Sequence, residues 1–589
     1  SGQIKPGQML ATMGASGAGK TTLLNVLTAR NLRLVEVEGT VKLNDREADL
    51  DSIKAFSAYV QQDDLFLGTL TVREHLKFQA MLRMEKHYTR AERKVRVESV
   101  MQELGLNKCA DNLIGYPGRI KGISGGERKR LAFASEVLTN PSIFICDEPT
   151  SGLDSYMAEQ VIQVLHSMAQ AGRTIMCTIH QPSSEVFALF NQLLLLADGR
   201  VAYMGDVNSA IDFFSSLGHK CPSNFNPADF FIQKLAIVPG NETDCRKKVN
   251  AICDTYANSN YYKETMPREE QYPRAGSTFS SPQRRKLVYK ATWFRQFYEV
   301  YKRATINIKR EPIITVVRSF QTILVAVILG LIFLDLKVDQ RGITNINGAL
   351  FLILMTMTFQ NTFSAITTFC MELPIFLREH HNAIYRVSSY FWAKTMAELP
   401  VFIILPIVFV AIFYWMVELN PGFNVFCANV LIAILVANCA CSFGYLVSCV
   451  SNNMTIALSI APPILGPLVI FGGYFLKNTS VPVYFIWLKY LSWFHFANEA
   501  AVVNQWQNIR NISCAGSDNP TIFTHVNSSS SYEADYDDIG CIRTGNQVIL
   551  SFEYQKDNYY RDIGLLFVLV IGYRIAAFIA LCVKARNKA

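Results

Sequence analysis

A glycine-rich segment near the start of the chain restricts the possible fold more than any other stretch. It follows an apolar stretch, residues 8–13, that is typical of a buried strand, and a helical pattern leads away from it over residues 22–29. It matches G-x-x-x-x-G-K-[ST] at every fixed position, in the strand-to-helix context that this phosphate-binding motif requires. An α/β nucleotide-binding domain is therefore predicted. The loop consists of Gly14, Ala15, Ser16, Gly17, Ala18, Gly19, Lys20, Thr21 and Thr22.

The residue types in this loop suit the phosphates of a nucleoside triphosphate. Glycines allow several backbone N–H groups to converge on phosphate oxygens, and the helix N-terminus adds its positive dipole end. Lys20 is expected to reach the β- and γ-phosphates, and the Thr21 hydroxyl is expected to complete the coordination of Mg²⁺.

Apolar residues are unevenly distributed along the 589 residues. Through about residue 237 the chain mixes charged and apolar residues as a soluble α/β domain does, whereas after Pro312 long runs carry almost no charge. Such runs are typical of membrane spans. The net charge is +8, with the excess concentrated in residues 284–310. Because this basic segment precedes the first apolar run, anchoring at a cytoplasmic membrane surface is favoured over nucleic-acid binding.

Five polar motifs follow the loop. Paired acids at a strand end can hold Mg²⁺ and polarise a water, and a glycine-rich helix N-terminus can bind an anion. Each motif alone is more often a turn, a helix cap or a structural histidine, so none establishes a function by itself. In chain order they are Gln61 and Gln62, Ser124 to Glu127, Asp147 and Glu148, Asp154, and His180.

Taken together and in this order, the motifs resemble the nucleotide-binding domain of ATP-binding cassette (ABC) transporters. The resemblance implies ATP as the nucleotide. It assigns Gln62 to contact Mg²⁺ and sense the membrane domain, with Gln61 as the alternative. Asp147 is expected to bind Mg²⁺, and Glu148 is expected to act as the catalytic base.

The remaining motif residues also acquire roles from this resemblance. His180 is expected to contact the γ-phosphate, and Asp154 to belong to the loop that links two ATP sites. The family's signature motif, which closes on ATP, corresponds to Ser124, Gly125, Gly126 and Glu127, with Glu127 where many relatives have glutamine. Because every hydrolytic residue is present, an active ATPase is expected.

Three segments narrow the resemblance to the G subfamily: residues 124–130, 178–185 and 226–230. Within it, residues 59–66 and 121–136 look most like the White-type half-transporters of insect pigment transport and their animal relatives. The resemblance covers essentially the whole chain. It implies an α/β P-loop domain followed by an all-α, six-helix transmembrane domain of the ABC type-2, G-type exporter class.

The predicted boundaries follow composition. Residues 1–240 form the nucleotide-binding domain, and the polar residues 241–283 are expected to be a flexible linker. Residues 284–311 have helical apolar spacing and are expected to form an amphipathic connecting helix at the inner membrane surface. Residues 312–589 are expected to form the membrane domain. Since the chain enters the P-loop strand almost at once, we expect earlier strands, including any aromatic that stacks on adenine, to precede it.

Six apolar spans are predicted. The basic residues before the first span, between the second and third, and at the end of the chain all belong in the cytoplasm, which requires an even number of spans. Residues 481–503 are apolar but carry Lys489, His495, Asn498 and Glu499, so they are expected to be re-entrant or interfacial. The spans are approximately 313–336, 345–370, 390–416, 422–450, 456–476 and 563–583.

Residues from about 477 to 561 are then expected to lie outside the cytoplasm. They contain glycosylation sequons at Asn478, Asn511 and Asn527. Cys514 and Cys541 are the two cysteines of this region. Disulfides persist in such a compartment, so an intrachain bond between them is expected.

The G-subfamily resemblance also implies coupling and substrate residues. Residues 372–380 resemble the cytoplasmic coupling segment, with Glu379 as the expected contact to the nucleotide domain; a simple interfacial turn is the alternative. The substrate lining is expected from the second and fifth spans, with aromatic and amide candidates in the second span and a hydrophobic valve above the cavity, although ordinary helix packing explains such residues equally well. These candidates are Phe359, Gln360, Asn361 and Phe363 in the span, and Tyr474 and Phe475 in the valve.

One nucleotide domain and six spans make half of an ABC transporter. In this family the signature motif of one chain closes on ATP held by the P-loop of the other, which implies a homodimer or a heterodimer with a related half. The expected function is ATP-driven export of small amphipathic or aromatic molecules. The White-type resemblance suggests purine, pteridine or tryptophan-derived pigment precursors.

Two alternatives remain open at this point: a sterol, lipid or xenobiotic exporter of the same subfamily, and an ATP-gated membrane regulator. The expected partners are a second half-transporter, the lipid bilayer and a small-molecule substrate, without nucleic acid. The expected location is the plasma membrane or an intracellular vesicle or granule membrane, with the nucleotide domain in the cytoplasm.

Overall fold

The computed structural model describes residues 2–28, 30, 36–44, 46–49, 52–53, 56–116, 118–265, 289–476, 481–513 and 541–587. The chain divides into two compact units, Ser1–Arg295 and Gln296–Ala589. The first is an α/β unit and the second is helical.

A six-stranded sheet forms the centre of the first unit. In spatial order its strands are β4 (Ser57–Val60), β5 (Ile143–Cys146), β6 (Thr174–Thr178), β1 (Met9–Gly14), β7 (Gln192–Ala197) and β8 (Arg200–Asp206). The first five are parallel, and β8 runs antiparallel to β7. All six residues of β1 are buried, as in a sheet covered on both faces. A separate antiparallel pair consists of β2 (Lys42–Leu43) and β3 (Arg46–Glu47).

The strand order brings the predicted motifs to one edge of the sheet. The carboxyl ends of parallel strands meet at the same edge, where ligands bind in open α/β sheets. The P-loop follows β1, the glutamines follow β4, the paired acids follow β5, and His180 follows β6. Residues far apart in the sequence are therefore adjacent in the fold.

Ten helices belong to the described part of the first unit. Three of them begin with capping boxes, at Thr71, Thr89 and Ser124, in which the side chains of the cap and of the third helical residue each accept a backbone N–H bond. The helices are α1 (Lys20–Leu27), α2 (Val72–Arg83), α3 (Arg90–Glu103), α4 (Gly125–Val137), α5 (Ser155–Gln170), α6 (Ser184–Ala188), α7 (Val207–Ser216), α8 (Pro227–Leu235), α9 (Glu242–Ala257) and α10 (Asn260–Thr265).

Helices α9 and α10 correct the predicted flexible linker. Residues 242–257 form four helical turns that bury Val249, Ile252, Cys253 and Tyr256, and both helices pack against β8. The Tyr256 hydroxyl donates to Met204 O at 3.0 Å. The apolar spacing is easy to overlook because residues 242–248 are mostly polar and all four buried side chains lie within residues 249–256. Residues 266–283 of the predicted linker lie outside the described residues.

The second unit is built from helices. Its central element is α15 (Phe423–Val450), which packs against α13 (Gln340–His381), α14 (Val387–Met416), α18 (Trp493–Trp506) and α20 (Tyr559–Asn587). The remaining helices are α11 (Trp293–Arg310), α12 (Pro312–Ile332), α16 (Met454–Ile470), α17 (Ile486–Leu491) and α19 (Gly545–Ser551).

Five helices in the described residues are long and apolar enough to cross a membrane: Thr315–Ile332, Gln340–His381, Val387–Met416, Phe423–Val450 and Lys556–Arg586. The segment predicted as the fifth span contains the shorter apolar helix α16, with 17 residues. At 1.5 Å per residue that helix is about 25 Å long, close to the ~30 Å of the hydrocarbon layer. The count of six spans stays a prediction.

Residues 481–503 contain two short helices, α17 and α18, separated at Ser492. Every residue of α18 is buried, and the polar side chains of Asn498 and Glu499 have specific partners. Glu499 Oε1 accepts bonds from Gln555 N at 3.2 Å and Asn558 Nδ2 at 2.8 Å, and Asn498 Nδ2 donates to the Tyr554 hydroxyl at 2.7 Å. These contacts explain how polar residues are tolerated in an apolar segment. Its re-entrant or interfacial placement stays a prediction.

Candidate nucleotide site and membrane pathway

The P-loop connects β1 to α1 and wraps around the amine of Lys20. A Cβ at Gly14 would lie 2.3 Å from Leu196 O, and Gly17 and Gly19 have φ values of +81° and +97°, so the backbone requires glycine at all three positions. Lys20 is buried, and its Nζ donates to Gly14 O at 2.8 Å and to Ala15 O at 3.1 Å. Burial lowers the pKa of Lys20, while the charges of Glu148 and Asp147 act in the opposite direction. A glycine cradle and a lysine at a helix N-terminus fit a polyphosphate.

Asp147, the first acid after β5, is held on both carboxylate oxygens. The Tyr59 hydroxyl donates to Oδ2 at 3.2 Å, and Thr178 Oγ1 donates to Oδ1 at 2.6 Å. Burial, followed by the charge of Asp147, raises the pKa of Tyr59, which keeps this phenol protonated and able to donate. Oxygen donors of this kind, together with the exposed side chain of Thr21, fit Mg²⁺.

Glu148, the second acid, has a left-handed backbone, with φ = +46°. Its amide donates to Thr178 Oγ1 at 2.8 Å, and its Oε2 accepts a bond from Gln62 Nε2 at 2.8 Å. The structure thus brings Gln62, rather than the fallback Gln61, into contact with the acid. His180 is exposed and follows β6, between β5 and the P-loop strand β1 in the sheet.

The predicted signature residues form the N-terminus of α4. Glu127 Oε2 accepts bonds from Ser124 N at 2.8 Å and Ser124 Oγ at 3.0 Å. Burial by itself raises the pKa of Glu127, but the bonds from Ser124 and the Cys109 thiol, together with the charge of Arg130, bring it below its ordinary value. A Cβ at Gly126 would lie 2.4 Å from Met157 Cε. Glu127 therefore caps this helix, as the Ser-x-x-Glu spacing of a capping box permits.

Asp154 similarly caps α5, since its Oδ1 accepts a bond from Met157 N at 2.8 Å. In the part of the chain that the structure describes, the hydrogen bonds of Ser124, Glu127 and Asp154 do not reach the P-loop. A single chain therefore brings Gly14–Thr22, Gln62, the two acids and His180 to the same edge of the sheet. The signature residues lie elsewhere in the unit.

Lys129 was not singled out by the sequence, although it lies in the signature helix. Its buried Nζ donates to Gln62 O at 2.6 Å and pairs with Asp64 Oδ2 at 3.1 Å. This contact joins α4 to the loop that carries Gln62. The available signal was weak, because α4 contains several basic residues and only the tertiary structure shows which one turns inward.

Comparison with known proteins decides the family. A family model described as ABC transporter matches residues 1–151, and models described as ABC-2 type transporter match residues 180–269 and 295–506. Protein white of Ceratitis capitata is 47% identical over 590 residues, covering 100% of this chain and 84% of that protein. The chain belongs to the G-subfamily ABC half-transporters.

Two further relatives agree with this assignment. The ABC transporter ATP-binding protein/permease wht-1 of Caenorhabditis elegans is 40% identical over 596 residues, covering 100% of this chain and 87% of that protein. Protein scarlet of Drosophila melanogaster is 36% identical over 589 residues, covering 100% and 86%, respectively. The predicted fold class is confirmed: an ABC ATPase domain that binds ATP, followed by a helical ABC-2 membrane domain. The half-transporter is a multi-pass membrane protein, and its architecture implies a dimer.

A half-exposed stripe runs along the long helix α13 of this half-transporter. The stripe has helical spacing and includes Leu352, Met355, Thr356, Phe359, Gln360, Phe363, Ser364, Thr367 and Thr368. Three of the four predicted pocket residues belong to it. The fourth, Asn361, does not: it is buried, and its Nδ2 donates to Met357 O of the same helix at 2.7 Å. Its neighbour Gln360 donates from Nε2 to the Thr322 hydroxyl of α12.

The predicted valve residues form an aromatic cluster with a third ring that the sequence did not single out. Phe351 of α13 stacks on Tyr474 with ring centroids 4.9 Å apart, and its ring lies 5.4 Å from that of Phe475. Phe475 is 61% exposed. Phe351 precedes Phe359 by eight positions, which corresponds to about 12 Å along the helix. Phe351, which contacts both valve residues, therefore lies on the same helix as the predicted pocket residues.

The predicted coupling segment forms the last turns of α13, so these residues are helical. Glu379 has partners in its own unit: Arg303 Nη1 lies 2.8 Å from each carboxylate oxygen, and the Tyr385 hydroxyl also donates to it. Within its own unit Glu379 is therefore paired with the connecting helix α11, and its predicted contact with the nucleotide domain stays a prediction.

Helix α11 is amphipathic, but its polar side is the buried one. It begins at Trp293, nine residues after the predicted start, and it buries Gln296, Arg303 and Asn307, while Phe294 and Tyr298 are exposed. The buried polar groups have partners: Gln296 Oε1 accepts from Arg386 N at 3.0 Å, and Asn307 Nδ2 donates to Glu372 Oε1 at 3.0 Å. An exposed aromatic side is suited to a lipid interface.

In the predicted external region, Asn511 is described and exposed. Cys541 is disulfide-bonded, whereas its predicted partner Cys514 and the sequon residues Asn478 and Asn527 lie outside the described residues. The glycosylation sites and the pairing of Cys514 with Cys541 stay predictions.

Proposed function

We propose that this half-transporter dimerises to export small aromatic or amphipathic molecules across a membrane, driven by ATP hydrolysis. The observation that carries the proposal is the arrangement of Gln62, Asp147 and Glu148 at the sheet edge that also holds the P-loop, in a chain that continues into apolar membrane helices. The acids supply the chemistry of hydrolysis, and the helices supply a route across the bilayer.

In this proposal the P-loop amides and Lys20 hold the phosphates of ATP. Thr21, Asp147 and Gln62 hold Mg²⁺, which when bound neutralises charge on the β- and γ-phosphate oxygens. Glu148 accepts the proton of the attacking water, and its left-handed backbone, bonded to Thr178 Oγ1, fixes the direction of its carboxylate. His180 stabilises the γ-phosphate. Asp154 and the signature residues Ser124–Glu127 complete the site across the dimer, in a homodimer or with a related half.

The substrate route in the proposal follows the half-exposed stripe of α13. An isolated half leaves Phe359, Gln360 and Phe363 accessible, and a second half facing this stripe would close a cavity lined with aromatic rings and amides. Such a lining suits flat, polar-edged rings, because aromatic stacking and amide hydrogen bonds recognise different parts of them. Similarity to proteins called white and scarlet further supports purine, pteridine or tryptophan-derived pigment precursors.

The proposed location is the plasma membrane or a vesicle or granule membrane, with the nucleotide domain and the basic segments in the cytoplasm. The exposed aromatic side of α11 lies at the inner membrane surface. On the other side, Cys541 pairs with Cys514, and Asn511, Asn478 and Asn527 carry glycans.

The test uses inside-out vesicles that contain the full-length protein. Uptake of guanine, a pterin, tryptophan, a sterol and a cationic dye is measured with and without ATP, beside the Glu148→Gln variant. We expect concentrative, vanadate-sensitive uptake of at least one ring compound and its loss in Glu148→Gln, because the catalytic base is removed.

Uptake of the sterol or the dye alone would contradict the pigment-precursor assignment. ATP-dependent equilibration without accumulation would instead identify an ATP-gated regulator, since a channel cannot build a gradient. Unchanged ATP turnover in Glu148→Gln would refute the mechanism.

A further inference from the structure

Thr178 occupies a position between the two catalytic acids that its sequence motif does not assign. It is the last residue of β6 and is fully buried. On one side it pairs in register with Thr12 of β1. On the other side the register with β5 ends at Cys146 opposite Cys177, so Thr178 lies beside the residue that follows Cys146, which is Asp147.

The single hydroxyl of Thr178 makes two bonds whose directions are fixed. The backbone amide of Glu148 can only donate, so Thr178 Oγ1 accepts that bond, at 2.8 Å. The hydroxyl proton is then directed to Asp147 Oδ1, at 2.6 Å. One side chain therefore orients the carboxylate of the first acid and the backbone of the second.

The backbone of Glu148 needs such a support. Its φ of +46° lies in the left-handed region, which is strained for a residue other than glycine and persists only when the surroundings hold it. The bond from the Glu148 amide to Thr178 supplies part of that hold. Without it, the side chain of Glu148 would leave the sheet edge at a different angle.

Tyr59 supplies a second donor to Asp147, at Oδ2. Two neutral O–H donors on opposite oxygens fix the plane of the carboxylate without neutralising its charge, and each oxygen keeps a lone pair for a cation. Groups that orient a metal ligand in this way typically change metal affinity or activity by about 10–100-fold when removed.

We propose that Thr178 is a positioning residue for ATP hydrolysis, with its hydroxyl holding the Asp147 carboxylate and the Glu148 backbone in one arrangement and Tyr59 as the second support. The proposal rests on the proposed role of these acids in Mg²⁺ binding and water activation. It adds two residues whose effect is transmitted through the acids.

The test compares Thr178→Val with Thr178→Ser, Tyr59→Phe and Thr12→Val in the purified full-length dimer. Thr12 is a matched control, because it is a buried threonine opposite Thr178 in the sheet whose hydroxyl has no hydrogen-bond partner within the described residues. Binding of Mn²⁺ is measured by electron paramagnetic resonance with a non-hydrolysable ATP analogue present, and kcat and KM for ATP are measured separately.

We expect Thr178→Val to weaken Mn²⁺ binding and to lower kcat by about 10-fold or more each, with little change in KM for ATP. Thr178→Ser should restore both, since it keeps the hydroxyl, and Tyr59→Phe should weaken Mn²⁺ binding with a smaller loss of kcat. Thr12→Val should match the wild type. If Thr178→Val does not yield a folded dimer, Thr178→Ala replaces it.

Equal Mn²⁺ affinity and kcat in Thr178→Val and Thr12→Val would overturn the proposal, as would failure of Thr178→Ser to restore them. A wild-type protein that binds Mn²⁺ with the analogue but shows no ATP turnover would instead refute the proposed function. In that case the Mn²⁺ measurement alone decides the role of Thr178.

Discussion

Replacing Arg303 by methionine removes one half of an ion pair that joins the connecting helix to the end of α13. The side chains of Arg303 and Glu379 are 7% and 2% exposed, and Arg303 Nη1 lies 2.8 Å from both carboxylate oxygens. Burial lowers the pKa of Arg303, but Glu379 and Tyr385 together raise it above its ordinary value, so the guanidinium stays charged. The substitution therefore leaves Glu379 buried without its counter-charge.

The magnitude follows from the geometry. At 2.8 Å and an effective dielectric constant near 20, opposite unit charges attract by about 6 kcal/mol. The cost of removing both groups from water offsets part of this, and loss of one partner of a buried pair typically costs about 3–5 kcal/mol. At the ~2 °C per kcal/mol appropriate to a large unit, the midpoint of thermal unfolding should fall by roughly 6–10 °C.

The assay follows thermal unfolding of the purified full-length protein by intrinsic fluorescence, for four variants. Arg303→Met should lose the most stability, and the double variant Arg303→Met with Glu379→Gln should lose less, because no uncompensated charge remains. Lys302→Met is the matched control, since Lys302 is the exposed neighbour of Arg303 on the same helix. Glu379→Gln alone completes the cycle. Equal losses in Arg303→Met and the double variant, or a loss no larger than that of Lys302→Met, would show that the buried ion pair does not stabilise the protein.

Three further predictions concern the nucleotide unit. Gly14→Ala should abolish ATP-induced thermal stabilisation, because the added Cβ would lie 2.3 Å from Leu196 O. Gly17→Ala should only weaken this stabilisation, because its Cβ meets open space although its φ is +81°. A larger loss in Gly17→Ala than in Gly14→Ala would show that the clash with Leu196 O is not the cause. Lys129→Met should raise KM for ATP, because it removes the bond from Lys129 Nζ to Gln62 O that holds the loop carrying Gln62. Unchanged kinetics would mean that this bond is dispensable. Since the pKa of Glu127 is lowered in the fold, its stabilising contribution should be complete above its unfolded pKa, near 4.5, and be lost as the pH falls through the lower folded value. The stability gap between wild type and Glu127→Ala, measured from pH 7 to pH 3, should then shrink only at the acidic end; a constant gap would contradict this.

Much of the fold follows from local sequence pattern. The P-loop spacing predicts a strand-to-helix turn, and β1 and α1 surround it. Long apolar runs predict the membrane helices, because only burial in lipid or protein accommodates so many consecutive apolar residues. The strand ends that carry Gln62, Asp147 and His180 were also recognised, since each apolar run stops at a polar residue.

The errors arose where packing outweighs pattern. Residues 242–257 have few apolar side chains, yet four of them bury against the sheet and hold a helix in the expected flexible linker. Asn361 was predicted to line a pocket together with Phe359, Gln360 and Phe363, but a 100° rotation per residue turns it into the bundle. Glu379 was predicted as a coupling contact, but its partner Arg303 was not foreseen, because Arg303 belongs to a helix that the sequence assigned only to the membrane surface.

The pattern along the chain predicts the type of domain, the position of the ATP loop, the two acids and the approximate positions of the membrane helices. These features depend on residues that are neighbours in the chain. The three-dimensional fold is needed to show that Thr178 and Tyr59 hold Asp147, that Lys129 anchors the loop of Gln62 and that Arg303 pairs with Glu379. Those partners are separated by 31, 88, 67 and 76 positions. Strand order and helix packing bring these partners within bonding distance, and no local sequence spacing indicates which residues will meet.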